Sequence, residues 1–144
     1  DSPASFKGKH FNFDDIWCHP QPTQGKNIPL LFGLKMTNEN ANKIAKVGHG
    51  WIPIKTSRDF ISAGKDILSD AFKKEGRQDQ PRIRGQLPTC VDDNGVPNID
   101  LTLKELEKSM AAGLNEIEFF PINFVQEPDD IYKVLTLISE VKKS

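Results

Sequence analysis

The stretch "PLLFGLKMTNENANKIAKVGHGWIPI", Pro29 to Ile54, decides the fold. It starts inside the apolar run "IPLLFG", which has the character of a buried strand. A polar joint follows, Lys35 to Asn40. Ala41, Ile44 and Ala45 then recur at one-face helical spacing until Gly48, a helix stop. "GWIPI", Gly50 to Ile54, is apolar again and predicts a second strand. Two parallel strands need a crossover of this kind, so the stretch is a strand-helix-strand unit.

Working outward, the unit repeats. Phe60, Ala63, Ile67, Leu68, Ala71 and Phe72 predict a second helix ending before Gly76. Arg82 to Leu87 predicts a third strand, bounded by Pro88 and by the turn signal "DDNG" at Asp92 to Gly95. Thr102 with Glu105 reads as a capping box for the next helix, with Leu103, Leu106 and Met110 as its apolar stripe and Gly113 as its stop. "EIEFF", Glu116 to Phe120, is the fourth strand. Pro128, Asp129 and Asp130 open a last helix whose Ile131, Val134, Leu135, Ile138 and Val141 face the sheet, and Lys142 and Lys143 suit its C-terminal dipole. Upstream, Phe6, Phe11, Phe13 and Trp17 flank Gly8 and an Asp-Asp pair, a pattern of extended segments or a hairpin, ended by Pro20, Pro22 and Gly25.

Four strand-helix units imply an α/β fold with a parallel sheet and right-handed crossovers. An open doubly wound sheet and part of a (β/α)8 barrel both satisfy this pattern. A whole barrel takes ~250 residues. Four units in 144 residues amount to about half of one, and an isolated half leaves two strand edges to be covered or paired.

Composition narrows the function classes. The chain is 37% hydrophobic and 27% charged, an ordinary globular profile, and 19 Lys plus Arg against 20 Asp plus Glu give a net charge of -1. Without a long basic block, nucleic acid is an unexpected partner. Cys18 and Cys90 belong to no CxxC or Cys/His ligand pattern, so no metal site is expected, and two buried or idle thiols fit a reducing compartment. No apolar run reaches the ~20 residues of a membrane span, and "DSPASFKGKH" lacks the order of a signal peptide. A cytoplasmic protein is expected.

The order of several segments is more specific. "SFKGKHFNFDDIWCHPQPTQ" resembles a Phe-x-Gly-Lys-x-Phe segment leading to Pro-x-Pro-x-Gln. "IPLLFG" follows, and then "AKVGHGWIPI", similar to a Gly-Asp-Gly-Trp strand. Further on come "KKEGR" and "DDNGVPNIDLTLKELEKSMAAGLNEIEFF", similar to a Gly-Arg helix end and an Ala-Gly-x-x-x-hydrophobic final strand. In this order they resemble the C-terminal half of the luciferase-like monooxygenase superfamily, its flavin- or deazaflavin-dependent oxidoreductases. The resemblance implies the last four units of a TIM (β/α)8 barrel at residues 29–144, preceded by an insertion-like extended segment at 1–28. It implies FMN or the deazaflavin coenzyme F420 as cofactor and a small organic molecule as substrate. The superfamily's first four units, with much of the ring pocket and its catalytic groups, have no counterpart here. Two segments depart from the pattern: Leu34, Lys35, Met36 and Thr37 stand where many members have Gly-Gly-Ser-Ser, and His49 replaces the Asp of Gly-Asp-Gly-Trp.

The candidate sites follow. A helix N-terminus beyond the C-terminal end of a barrel strand offers free N-H groups and a positive dipole end to a phosphate. By the resemblance, Thr37 and Asn40 align with phosphate-binding hydroxyl positions, and Lys35, Met36 and Asn38 complete the loop. The competing reading makes Thr37 an ordinary cap on the N-H of Glu39 or Asn40. Ile54 and Phe120, near strand C-termini, are candidates for a ring or substrate pocket. Trp51 reads as core, His49 as a structural or solvent-exposed residue on the stability face, and Arg77 as a solvated helix-end residue. His10, His19 and Cys18 have no catalytic partner at recognisable spacing, and no acid-base residue is assigned. Two function classes remain: an oxidoreductase half-barrel completed by an N-terminal half, and a non-catalytic or degenerate half-barrel that pairs its open edges in a homodimer.

Overall fold

In the computed structural model residues 3–141 are described, with the side chains of all of them except Lys26 and Val141. The expectations for the Val141 side chain and for Lys142 and Lys143 lie outside what is described. A hairpin, β1 (Ala4–Lys7) and β2 (Asn12–Ile16), precedes a parallel sheet of β3 (Leu31–Phe32), β4 (Gly50–Trp51), β5 (Arg82–Gln86) and β6 (Glu116–Glu118) in the order β3-β4-β5-β6. The helices are α1 (Asn38–Val47), α2 (Arg58–Lys74), α3 (Ile99–Ala112) and α4 (Asp130–Val141). The result is a mixed α/β fold of four parallel strands, each followed by a helix, with β3 and β6 at the edges.

The register sorts the sheet into two faces. Phe32, Trp51 and Ile83 share a row, as do Gly85 and Ile117, and these point toward the helices. There Trp51, Ile83, Leu68, Phe72 and Ile44 are all 2% exposed or less. At roughly 1.5–3 kcal/mol each, such side chains supply most of the folding drive. Leu31, Gly50, Arg82, Arg84, Gln86, Glu116 and Glu118 occupy the other face. Alternation of apolar and polar residues is clearest in β5 and β6, where Arg82, Arg84, Gln86, Glu116 and Glu118 face away from the helices.

Two glycines set the spacing of the core. A Cβ on Gly64 would lie 2.3 Å from the Trp51 ring, so α2 rests directly on the indole. A Cβ on Gly50 would lie 1.9 Å from the Arg82 carbonyl oxygen, where β4 and β5 meet.

Several expectations change at residue level. The third helix does not start at a Thr102 capping box: Asn98 is the N-cap, accepting from the Leu101 N-H at 3.0 Å. Thr102 is inside the helix and fully buried. Its hydroxyl donates to the Asn98 carbonyl and accepts from the Cys90 N-H, both at 2.9 Å, which ties the loop after β5 to α3. Ala63 and Met110 are exposed, and Ile61 and Gly64 take the buried positions on α2 instead. Leu135 is also exposed, while Val134 is buried. β6 ends at Glu118, because Phe120 leads into a 3-10 turn at Pro121–Phe124. Cys18 is exposed and Cys90 half-buried, so neither is a core thiol.

Arg77 is the largest correction. Its guanidinium donates to the carbonyls of Ala45 and Gly48 at 3.1 and 2.6 Å. It also pairs with Asp79 through Nε at 2.9 Å and lies 3.9 Å over the Phe72 ring. It therefore satisfies the carbonyl end of α1 and joins it to the end of α2. The nearby Asp79, two residues on, was the sequence signal that this Arg is held.

Candidate functional site

The C-terminal ends of the four parallel strands form one edge of the sheet, and the loops beyond them are where an α/β fold binds ligands. The loop after β3, residues 33–37, is fixed by its neighbours. Trp51 donates its Nε1-H to the Leu34 carbonyl at 2.8 Å, and the Asn40 side-chain amide donates to the Lys35 carbonyl at 3.0 Å. Met36 is buried beneath the loop. Thr37 is the N-cap of α1, its Oγ1 accepting from the Asn40 N-H at 3.2 Å.

The capping reading of Thr37 is thus realised. Glu39 sits in the first turn of α1, but its carboxylate pairs with Lys43 at 2.6 Å. The hydrogen bond from Lys43 holds the Glu39 carboxyl below its ordinary value. Lys35 is exposed and in no ion pair among the described residues. By contrast, Ser57, the N-cap of α2, makes no side-chain cap.

Ile54 follows β4 and is exposed. With Lys55, Thr56, Gln86 and Glu118 it lines a cavity of 230 Å³ at the same edge. Phe120 borders a separate, more open groove of 650 Å³ with Arg84, Glu116 and Glu118. Ile54 and Phe120 therefore do not share one pocket, and Glu118 is the residue common to both walls. Phe119 is taken up by stacking on Phe124, ring centroids 5.4 Å apart. The 230 Å³ cavity is smaller than the ~300–1,000 Å³ usual for small-molecule sites. Sequence reasoning missed Glu118 and Gln86, although both end strands and could have been found by counting alternate positions back from the loops.

The polar sheet face carries one built charge cluster. Glu116 accepts hydrogen bonds from the Arg82 and Arg84 side chains, the latter through Nε at 2.8 Å. Burial pushes the Glu116 carboxyl up, but the hydrogen bonds and charges of Arg82 and Arg84 outweigh it and hold the group below its ordinary 4.5. A carboxyl depressed on folding contributes stability that is present above the unfolded value and is lost as pH falls through the folded one. Glu116→Gln should therefore lower stability at pH 7 and flatten the acid limb below about pH 4.5. Urea midpoints measured from pH 3 to 7 check this, and parallel acid limbs would refute it.

His49 has a structural place. Its Nδ1 accepts from the Leu30 N-H at 3.1 Å while the His49 backbone N-H donates to the Leu30 carbonyl at 2.8 Å, extending the β3-β4 ladder toward the N-terminal side. His10, His19 and Cys18 lie exposed in the leading segment, where Trp17 stacks on His19. Among the described residues no three His, Cys, Asp or Glu side chains converge as metal ligands, and no helix is long and apolar enough to cross a membrane.

Comparison with solved structures places this architecture. Over 83% of the chain it superimposes on 50% of an F420-dependent secondary alcohol dehydrogenase in complex with an F420-acetone adduct, with a TM-score of 0.63 and 15% identity. The monooxygenase RslO1 from Streptomyces bottropensis matches 78% of the chain with 35% of its own, TM-score 0.53 and 17% identity. The chain shares its fold with part of both oxidoreductases. At these identities the likeness is one of fold. No family model matches. In sequence, 117 residues, 81% of the chain, are 35% identical to uncharacterized proteins of Mycobacterium tuberculosis and Mycobacterium bovis. The match covers 36% of each, so the chain spans about a third of the length of these curated relatives.

Proposed function

We propose that this chain is the C-terminal half-barrel of a luciferase-like oxidoreductase, residues 29–144 supplying four strand-helix units and residues 1–28 an inserted segment. The observation that carries the reading is the superposition of 83% of the chain on half of the F420-dependent alcohol dehydrogenase. A partner half-barrel, or a second copy, would cover the open edges of β3 and β6. The substrate would be a small organic molecule.

The loop after β3 fits the phosphate end of FMN or F420. The first N-H groups of α1, at Asn38 and Glu39, have no intrahelical acceptor. The Thr37 hydroxyl accepts from Asn40 and keeps its own hydrogen to donate. Lys35 adds an unpaired positive charge beside them, and pairing with Lys43 compensates Glu39. Asn38 and Asn40 complete the polar lining of the loop, the Asn40 amide bonded to the Lys35 carbonyl, and Met36 is buried beneath it. Ile54 and Phe120 would form walls on either side of Glu118, toward ring or substrate. When bound, the cofactor supplies hydride transfer or oxygen chemistry, and the residues of this chain bind, orient and exclude water. The F420 named with the first of these structures supports a deazaflavin or a related flavin as cofactor.

Titrating the purified chain with FMN and with F420, followed by cofactor fluorescence, tests this. We expect saturable binding of one of them, weakened about tenfold by Lys35→Ala, the loss of one exposed charge-assisted contact. A protein that titrates with neither cofactor would sink the phosphate site.

A further inference from the structure

Among the described residues two hydroxyls are buried, those of Thr102 and Ser109, both on α3. Thr102 makes two hydrogen bonds. Ser109 is only 8% exposed, yet its hydroxyl has no hydrogen-bond partner among the described residues. A hydroxyl so far withdrawn from water normally keeps a partner, because leaving it unpaired costs free energy. Ser109 lines an open cavity of 420 Å³ together with Thr56, Ser57, Arg58 and Asp59, which lead into α2. That helix start is uncapped. Ser57 stands at the N-cap position without using its side chain, so the N-H groups of Arg58, Asp59 and Phe60 have neither an intrahelical acceptor nor a cap. With 17 residues, α2 carries a developed dipole whose positive end opens on the cavity.

We propose that this cavity is an anion subsite, separate from the loop after β3, and that it takes the phosphate group of a small molecule. The first N-H groups of α2, the hydroxyls of Ser57 and Ser109 and the Arg58 guanidinium supply donors from two helices to the several acceptor oxygens of a phosphate. The guest gives the Ser109 hydroxyl the acceptor it lacks. Glu105 also lines the cavity, but its charge is matched: it accepts from Arg58 Nη2 at 2.8 Å and from Lys108. The bond from Lys108, and after it that from Arg58, hold the Glu105 carboxyl below its ordinary value. Arg58 keeps its Nε-H and its other amino group to donate. Asp59, in no ion pair among the described residues, is the one lining charge that opposes an anion. Thr56 belongs to this cavity and to the 230 Å³ one, so a phosphate ester can rest its head group here and its body beside Ile54.

Amide proton-nitrogen NMR spectra of the 144-residue chain, titrated with inorganic phosphate and with phenyl phosphate to about 50 mM, read the outcome. We expect saturable shifts of the Arg58, Asp59 and Phe60 amides, and the tighter of the two probes tells a free anion from an ester as guest. Ser109→Ala should weaken this binding about 3- to 10-fold, the loss of one hydrogen bond. Arg58→Gln should weaken it about tenfold. Asp59→Asn, at an exposed position that leaves the fold intact, should tighten it about 2- to 5-fold. Three results would each overturn the proposal: no saturable shift at these amides, binding indifferent to Ser109→Ala, and binding no tighter in Asp59→Asn. Phosphate held by the loop after β3 would instead move the Asn38 and Glu39 amides and respond to Lys35→Ala. Failure at α2 therefore leaves the oxidoreductase reading standing.

Discussion

Gly50→Ala should give a chain that no longer unfolds cooperatively. The added Cβ would sit 1.9 Å from the carbonyl oxygen of Arg82 and 2.7 Å from its carbonyl carbon. Both are backbone atoms of the neighbouring strand, so no side-chain rotation relieves the clash. β4 and β5 would have to separate. That removes the Arg82 N-H bond to the His49 carbonyl, now 2.9 Å, and shifts Trp51 against Ile83 at the centre of the core. Overpacking in a core that can adjust costs ~1–3 kcal/mol. Here the adjustment breaks the ladder as well, and the total should reach ~5 kcal/mol, the whole stability of many domains. Urea unfolding followed by far-UV circular dichroism checks it. A Gly50→Ala protein whose melting point falls by less than about 3 °C would show that the strands can part cheaply.

The second large effect belongs to Trp51. The indole is fully buried under Gly64 and beside Phe60, and its Nε1-H bonds the Leu34 carbonyl. Trp51→Ala should cost ~3–5 kcal/mol for the cavity alone, and further for the orphaned carbonyl. Trp51→Phe separates the two contributions. It keeps one aromatic ring in the core and loses the N-H, at ~1–3 kcal/mol for the orphaned carbonyl, with a smaller cavity than Trp51→Ala leaves. Because Leu34 begins the loop that leads to Lys35 and Thr37, Trp51→Phe should also loosen that loop and weaken cofactor binding more than its stability loss suggests. If Trp51→Phe were as stable as the parent chain, with the same cofactor titration, the anchor role would fail.

Periodicity made the order of elements legible, because a buried face imposes spacing of 3.6 on a helix and 2 on a strand. α1 between Thr37 and Gly48 was readable from its cap, its stripe and its stop. Element ends were less readable. Thr102 three residues before Glu105 satisfies the capping-box pattern, yet Asn98 is an equally good cap one turn earlier, and packing chose it by burying the Thr102 hydroxyl against the Cys90 N-H. Arg77 looked solvated because the carbonyls it serves, Ala45 and Gly48, are 32 and 29 positions away in sequence.

The candidate site divides in the same way. Sequence alone determined that a polar joint with a helix cap follows the first parallel strand, that four strand-helix units repeat, and that Trp51 belongs to the core. These are local or periodic facts, encoded within a turn or two of chain. Only the tertiary structure decided that Trp51 and Asn40 hold the joint's carbonyls, that Ile54 and Phe120 stand on opposite sides of Glu118, and that the hairpin keeps its apolar face uncovered. Those depend on which distant backbones come within 3–4 Å, and no spacing within one segment specifies that distance.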